Sequence, residues 1–253
     1  MYHFIPPKFV SKFQDFNYKK FEDIPEEVFD EIAAKLKSIQ SESPLVSVGL
    51  IAYNEQDYIL GTLASLAEAN CKYPFEILVV NNNSTDDTQK FLDRLGLKTI
   101  EEKSQGYPFA RQAGLQNAKG EIFVSGDTDT FYTPKWIELL SAPLIDNDKI
   151  SCTYSLHAFY TDAKKYPLSL QFYQYAKLIG IYSKDFSRAQ LNCGGASMAF
   201  RKKDALKFGG YNTKIVRGSD GYMALQLSDY GKIKMVSKQK AVIYTNMRRT
   251  QND

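Results

Sequence analysis

Two carboxylates, Asp127 and Asp129, close the apolar run at residues 122–124 within the segment Ile122-Phe123-Val124-Ser125-Gly126-Asp127-Thr128-Asp129-Thr130. On an extended backbone, residues two apart face the same side. Both carboxylates would then address one point in space. Hard anionic oxygens of this kind suit Mg²⁺ or Mn²⁺, and such an ion normally shares its remaining positions with substrate phosphates. The same letters also spell a polar turn. The segment alone does not choose between the two.

Its surroundings do. Residues 45–52 are almost continuously apolar and β-rich, the mark of a strand buried on both faces of a parallel sheet. Tyr53-Asn54-Glu55 breaks that strand, and Ile59, Leu63 and Leu66 recur at helical spacing through about residue 69. A second strand is expected at 75–80, stopped by the turn formers and helix caps at 81–87. A helix over 88–95 with Gly96 as its stop, a third strand at 98–100, a helix over 109–118 and a fourth strand at 122–125 complete the series. Strands alternating with helices predict an α/β fold with a parallel sheet. Ligands of such sheets collect at the carboxyl ends of the strands. The polar breaks at 53–55, 81–87 and 127–130 all fall there.

Taken in order, these pieces resemble the family 2 glycosyltransferases. The matching stretches are Val46-Ser47-Val48 through Tyr53-Asn54-Glu55, then residues 76–86 with Asn81-Asn82-Asn83-Ser84-Thr85-Asp86, then Ala118-Lys119-Gly120-Glu121-Ile122. Asp127-Thr128-Asp129 follows with Pro134 and Trp136, then Gly194-Gly195 and residues 196–201, Gly209-Gly210-Tyr211 and Gly218-Ser219-Asp220. The resemblance runs from about Pro44 to Arg249. It implies a GT-A type Rossmann-like sandwich, a mainly parallel sheet flanked by helices. A donor half would span about 44–135 and an acceptor half about 136–253 of the catalytic domain 44–253.

The resemblance also implies roles. The chain would move a sugar from a nucleotide diphosphate sugar (UDP first, GDP second) to a glycan or lipid-linked acceptor, with inversion. Cell-envelope or exopolysaccharide synthesis is the expected setting. Asp127 and Asp129 match the metal motif for Mn²⁺ or Mg²⁺, with Asp129 the direct ligand and Asp127 and Thr128 nearer the donor. Asp220 matches the general base that takes the acceptor proton. Relatives commonly have Glu-Asp there, and this chain has Ser219-Asp220. Ala52, Tyr53 and Glu55 are expected to line the base and ribose. Relatives often carry an aspartate where this chain has Asn81-Asn82-Asn83. Asn81 and Asn82 either bind the base through their amides or only shape the turn. Arg111 either contacts the donor and the metal-site carboxylates or lies on a helix surface. Gly194 and Gly195 either let the backbone approach a bound sugar or form a tight turn. Arg248 and Arg249 either grip the diphosphate or make a solvated tail.

Composition sets limits. The chain has 253 residues, 43% of them hydrophobic, and a net charge of +3, too weak an imbalance to imply a nucleic-acid partner. No apolar run approaches the roughly 20 residues needed to span a bilayer, and no secretory signal is recognised. Cys71, Cys152 and Cys193 lack metal-ligand spacing and fit buried thiols in a reducing compartment. His3 and His157 are the only histidines, which excludes a histidine-rich centre. A cytoplasmic enzyme is expected. Residues 1–43 are set apart as an aromatic, basic segment followed by an amphipathic helix over 26–40, with Val28, Ile32, Leu36 and Ile39 on one stripe. Phe4, Phe9, Phe13, Phe16 and Tyr18, mixed with lysines, could dock peripherally on the inner face of a membrane. Tyrosines and phenylalanines recur again from Phe159 to Phe186, fitting either sugar stacking near an acceptor or helix core packing.

Two other functions stay open. A nucleotidyltransferase making nucleotide sugars also uses metal-binding carboxylates, but it usually carries a Gly-rich basic loop after its first strand, and Ala52-Tyr53-Asn54-Glu55 is not one. A catalytically silent nucleotide-sugar binder would have little use for Asp127, Asp129 and Asp220 together.

Overall fold

The computed structural model describes residues 8–161 and 168–247. Seven consecutive buried residues, Val46–Ala52, form β1. It pairs in parallel with β2 (Phe75–Asn81), which leads to β3 (Lys98–Glu101), and on its other side with β4 (Ile122–Asp127). Two strands buried on both faces need cover on both sides of the sheet. Helices α3 (Ile59–Leu66), α4 (Thr88–Arg94) and α5 (Tyr107–Asn117) follow β1, β2 and β3 in turn and help to supply it. The register decides function. Ala52 lies opposite Asn81, and Ile51 opposite Asp127. The three polar breaks therefore meet at one level of the sheet.

Beyond β4 the sheet stops being purely parallel. After the two-residue β5 (Thr130–Phe131) and α6 (Trp136–Asp146), the chain adds β6 (Ile150–Ser155) and β7 (His157–Tyr160). Then come α7 (Leu168–Ser187), β8 (Met198–Arg201), α8 (Lys202–Lys207), α9 (Ser219–Leu227), β9 (Lys232–Val236) and β10 (Ile243–Asn246). The large sheet runs β3-β2-β1-β4-β8-β6-β9, and β8 is antiparallel to both its neighbours. A small sheet, β5-β10-β7, sits at the mouth of the large one. A turn at residues 195 and 196 precedes β8.

The N-terminal aromatics are used differently from the membrane-docking expectation. In α1 (Lys8–Gln14), Phe13 is buried against Phe131 with ring centroids 5.9 Å apart, and Phe9 packs edge-on to Tyr244 at 5.6 Å. Phe16 is also packed on the core. Each such ring gains more from leaving water against the protein than from a lysine-flanked surface position. Phe4 lies outside the described residues. In α2 (Glu26–Ile39), Ile32 and Leu36 of the expected stripe are buried, with Phe29 added and Val28 and Ile39 only half-buried. Arg94 ties α2 to α4 through Glu26 at 2.5 Å and Asp30 at 2.7 Å. Cys152 and Cys193 are buried and Cys71 half-buried, all as free thiols. No described helix is long and apolar enough to cross a membrane.

Candidate active site

Arg111 is the centre of the site. It lies on the inner face of α5, 3% exposed, with its guanidinium under the end of β4. Nη1 donates to the Gly126 carbonyl at 2.7 Å and Nη2 to Asp127 Oδ1 at 2.5 Å. Nε stands 3.6 Å from Asp220 Oδ1. That pair is too long for a hydrogen bond, and neither atom has another hydrogen-bond partner. Burial alone works against the charge of Arg111, but Asp127 and then Asp220 outweigh it and hold the guanidinium protonated. The alternative of a surface arginine does not hold.

Asp220 sits in the first turn of α9, entered through Gly218 at φ 79°, a conformation suited to glycine. About a quarter of its side chain, 26%, is exposed. Burial pushes its carboxyl up, Arg111 pulls it down and Asp127 pushes it up again, leaving it above the ordinary carboxylate range. The nearby Gly195 backbone N–H pulls it down slightly. Gly195 is there because nothing larger fits. A Cβ at that position would stand 2.2 Å from Arg111 Nη2. Its carbonyl accepts from Ser125 Oγ at 2.7 Å, which locks the turn to β4. Gly194 lies beside His157, whose Cε1 would be 3.4 Å from a Cβ there. Burial, then the charge of Lys177, pushes His157 down to about 3. Lys177, itself pushed down to about 8 by burial, rests over the Phe159 ring at 4.1 Å.

The backbone does not stay extended through Asp127-Thr128-Asp129. Thr128 and Asp129 form a turn that carries the chain from β4 to β5. The Thr128 hydroxyl donates to the Ile51 carbonyl at 2.9 Å, so it staples this turn to β1. Asp129 is 2% exposed and accepts from Thr130 Oγ1 at 3.3 Å. Tyr132 fixes Asp127 from beneath. Its Oη accepts from the Asp127 N–H at 2.7 Å and donates to the Asp127 carbonyl at 2.9 Å. Burial, then the charge of Asp127, pushes this phenol well above its ordinary value, so it remains a neutral clamp.

A cleft of about 330 Å³ opens beside Arg111, lined by Ala52, Tyr53, Glu55, Asn82, Tyr107 and Ala110 among others. Tyr53 and Tyr107 are about half-exposed at its walls, and Glu55 is buried. The loops after β1 and β2 are knitted together to form one side. Thr85 N–H donates to Asn54 Oδ1 and Asn54 N–H to Ser84 Oγ. Gln56 N–H donates to Asp86, Asp87 N–H to Gln56 Oε1, and Glu55 N–H to the Thr88 hydroxyl. Asn54 and Asn83 take left-handed φ values of 53° and 62°, which asparagine tolerates. The Asn81 amide is engaged by Gln89 and the Ser84 N–H, so it shapes the turn. The Asn82 amide pins residues 102–106 by donating to two carbonyls and accepting from the Gly106 N–H, and its residue lines the cleft.

The carboxylates fit a divalent ion by their chemistry. Asp127 and Asp129 offer hard oxygens at the end of β4. Among the described residues no group of three or more His, Cys, Asp or Glu side chains could hold a metal. An open site of this kind suits an ion that takes its other ligands from a diphosphate. Arg248 and Arg249 lie outside the described residues. Reading the sequence did not find Tyr132, Tyr107 or Lys177. Gly106-Tyr107-Pro108 at a helix start was a usable signal. Nothing in the spacing of Tyr132 or Lys177 marked them.

Known proteins show which family and fold this chain shares. An uncharacterized glycosyltransferase of Haemophilus influenzae is 33% identical over 114 residues, 43% of this chain and 35% of that protein. The mannosyltransferase PcManGT from Pyrobaculum calidifontis, solved with GDP-Man and Mn²⁺, superposes with a TM-score of 0.59 at 18% identity, covering 87% of this chain and 68% of that one. TarS 1–349 of S. aureus, solved with UDP, gives a TM-score of 0.59 at 21% identity, covering 79% of this chain and 60% of that one. These structural likenesses establish the GT-A fold. The chain spans 35% or less of the length of the first curated relatives it matches. The family model described as glycosyl transferase family 2 matches residues 47–208, more than half of the chain, and the chain belongs to that family.

Proposed function

We propose that the chain is an inverting, metal-dependent glycosyltransferase that moves a sugar from a nucleotide diphosphate to a hydroxyl of a glycan or lipid-linked acceptor, in cell-envelope or exopolysaccharide synthesis. The observation that carries this is Arg111, which joins Asp127 to Asp220 beside a two-tyrosine cleft. The nucleobase lies in that cleft between Tyr53 and Tyr107, with Glu55 and Asn82 at its floor. Asp127 and Asp129 would hold Mn²⁺ or Mg²⁺, and the ion would supply positive charge to the departing diphosphate. Asp220 accepts the acceptor hydroxyl proton as that oxygen attacks the anomeric carbon. The electron pair of the broken bond leaves with the diphosphate. A carboxyl held above its usual range is a stronger base for this step. Gly194 and Gly195 leave room for the sugar beside Asp220. UDP is the first choice of donor nucleotide and GDP the second, and the protein acts on the cytoplasmic side. Calorimetry with UDP and GDP tests the reading. Tight binding in Mn²⁺ that is lost in EDTA and in Asp129→Ala is expected. Equal affinity with and without metal refutes the metal role.

A further inference from the structure

Helix α7 exposes an apolar stripe that the catalytic site does not use. Leu168, Phe172, Tyr175, Ile179, Tyr182 and Phe186 are exposed to between 44% and 97%. They are separated by four, three, four, three and four residues. At 100° per residue they fall within a band of about 80°, narrower than the face of an ordinary amphipathic helix and close to a coiled-coil seam. The other side of α7 is already fixed to the body. Leu170 and Gln174 are buried, Gln174 Oε1 accepts from the Phe159 N–H at 2.8 Å, and Asp185 accepts from Tyr154 Oη at 2.6 Å. The stripe is therefore presented on a braced helix.

We propose that this stripe pairs with the same stripe of a second copy, antiparallel and about a two-fold axis level with Lys177. The spacing reads identically in both directions. Reversal about residue 177 sets Leu168 against Phe186, Phe172 against Tyr182 and Tyr175 against Ile179, so each apolar residue meets another. A closed dimer requires this self-complementarity. The flank carrying Ser169, Ala176 and Ser183, seven residues apart, presents only small side chains and lets a second helix come close. The six side chains expose on the order of 800 Å², the size of one side of a standard protein interface. An anionic membrane is the poorer occupant. Such helices carry lysine and arginine along the edges of the apolar face, whereas Ser169, Ala176, Ser183, Gln171 and Asp185 stand beside this one.

Sedimentation equilibrium of the full chain tests the pairing. A dimer at micromolar concentration is expected. Ile179→Asp, a change at a position 73% exposed, should weaken it at least ~100-fold, because a two-fold axis counts each substitution twice. The circular dichroism and unfolding transition of the variant should match wild type. In a Cys71→Ser background, Tyr175→Cys protein mixed with Ile179→Cys protein should form a disulfide-linked heterodimer. A wild-type chain that stays monomeric overturns the proposal, as does a dimer unaffected by Ile179→Asp and Phe172→Asp. Failure of the cysteine pair to cross-link overturns the antiparallel register. Stripe-dependent binding to anionic vesicles by a monomeric chain assigns the surface to lipid instead.

Discussion

Replacing Arg111 by glutamine tests the centre of the site most directly. The side chain is 3% exposed and makes hydrogen bonds of 2.7 and 2.5 Å, the second to a carboxylate, with a further carboxylate at 3.6 Å. A hydrogen bond to a charged group contributes about 1.5–3 kcal/mol. Removing one partner of a buried ion pair costs about 3–5 kcal/mol, because the remaining charge is stranded. Here two carboxylates are stranded, so a loss of about 3–5 kcal/mol at pH 7 is expected. That is a large part of the roughly 5–15 kcal/mol that holds a domain folded. Without the cation that pulls it down, the Asp220 carboxyl of the variant moves further up and binds a proton more readily when folded. The variant's deficit should therefore shrink as the pH falls from 7 to 5.5. Urea unfolding at both pH values measures this. Arg111→Lys keeps the charge but not the fork and should recover less than half of the loss. The acidic limb of donor turnover in Arg111→Gln should move to higher pH, since Arg111 is what holds Asp220 down. A deficit below about 1 kcal/mol, or one equal at both pH values, refutes the account of Arg111 as the shared counter-ion.

Asp220→Asn should bind nucleotide with wild-type affinity while transfer falls by about 10²–10⁴, the usual loss when a general base is removed; wild-type transfer would place the base elsewhere. Gly195→Ala should cut transfer at least tenfold and lower stability, because its Cβ would stand 2.2 Å from Arg111 Nη2; unchanged kinetics would show that Arg111 moves without consequence. His157 is pushed down to about 3 by burial and Lys177, so between that value and about 6.5 the unfolded chain binds a proton that the folded chain refuses. This contribution to stability is lost as the pH falls, by about 2 kcal/mol between pH 7 and 5. Urea unfolding of wild type and His157→Asn at both pH values should differ by that amount in pH dependence, and parallel curves would refute it.

The donor half was legible because its physics is local. The mostly apolar, β-rich runs at residues 46–52 and 75–81 point to buried parallel strands, whose polar ends then meet at one edge. The roles of Arg111, Tyr132 and Gly195 were not legible from spacing, because each acts through a side-chain contact that no strand or helix period describes. The Tyr132 hydroxyl turns back onto the end of β4, and Gly195 is constrained by a side chain from α5. The turn at Thr128 and Asp129 was one of the two readings of that segment, and alternation alone could not select it, because the chain leaves β4 there to enter the second sheet. The packing of Phe9 and Phe13 was illegible for the opposite reason. Aromatic and basic letters together look the same whether the rings face lipid or Phe131 and Tyr244.

The reciprocal stitching of the loops after β1 and β2 bears on how donor choice can change. Asn54, Gln56 and Asp86 exchange bonds in both directions, so this wall of the cleft is set before any nucleotide arrives. Binding there carries little ordering entropy, and affinity reflects contact quality instead of loop closure. Altering one of those three residues would loosen the wall for every nucleotide alike. Tyr53 and Tyr107, each about half-exposed, line the cleft beside that wall. On the proposed reading they are the positions at which nucleobase preference can drift while the bonds of Asn54, Gln56 and Asp86 stay in place.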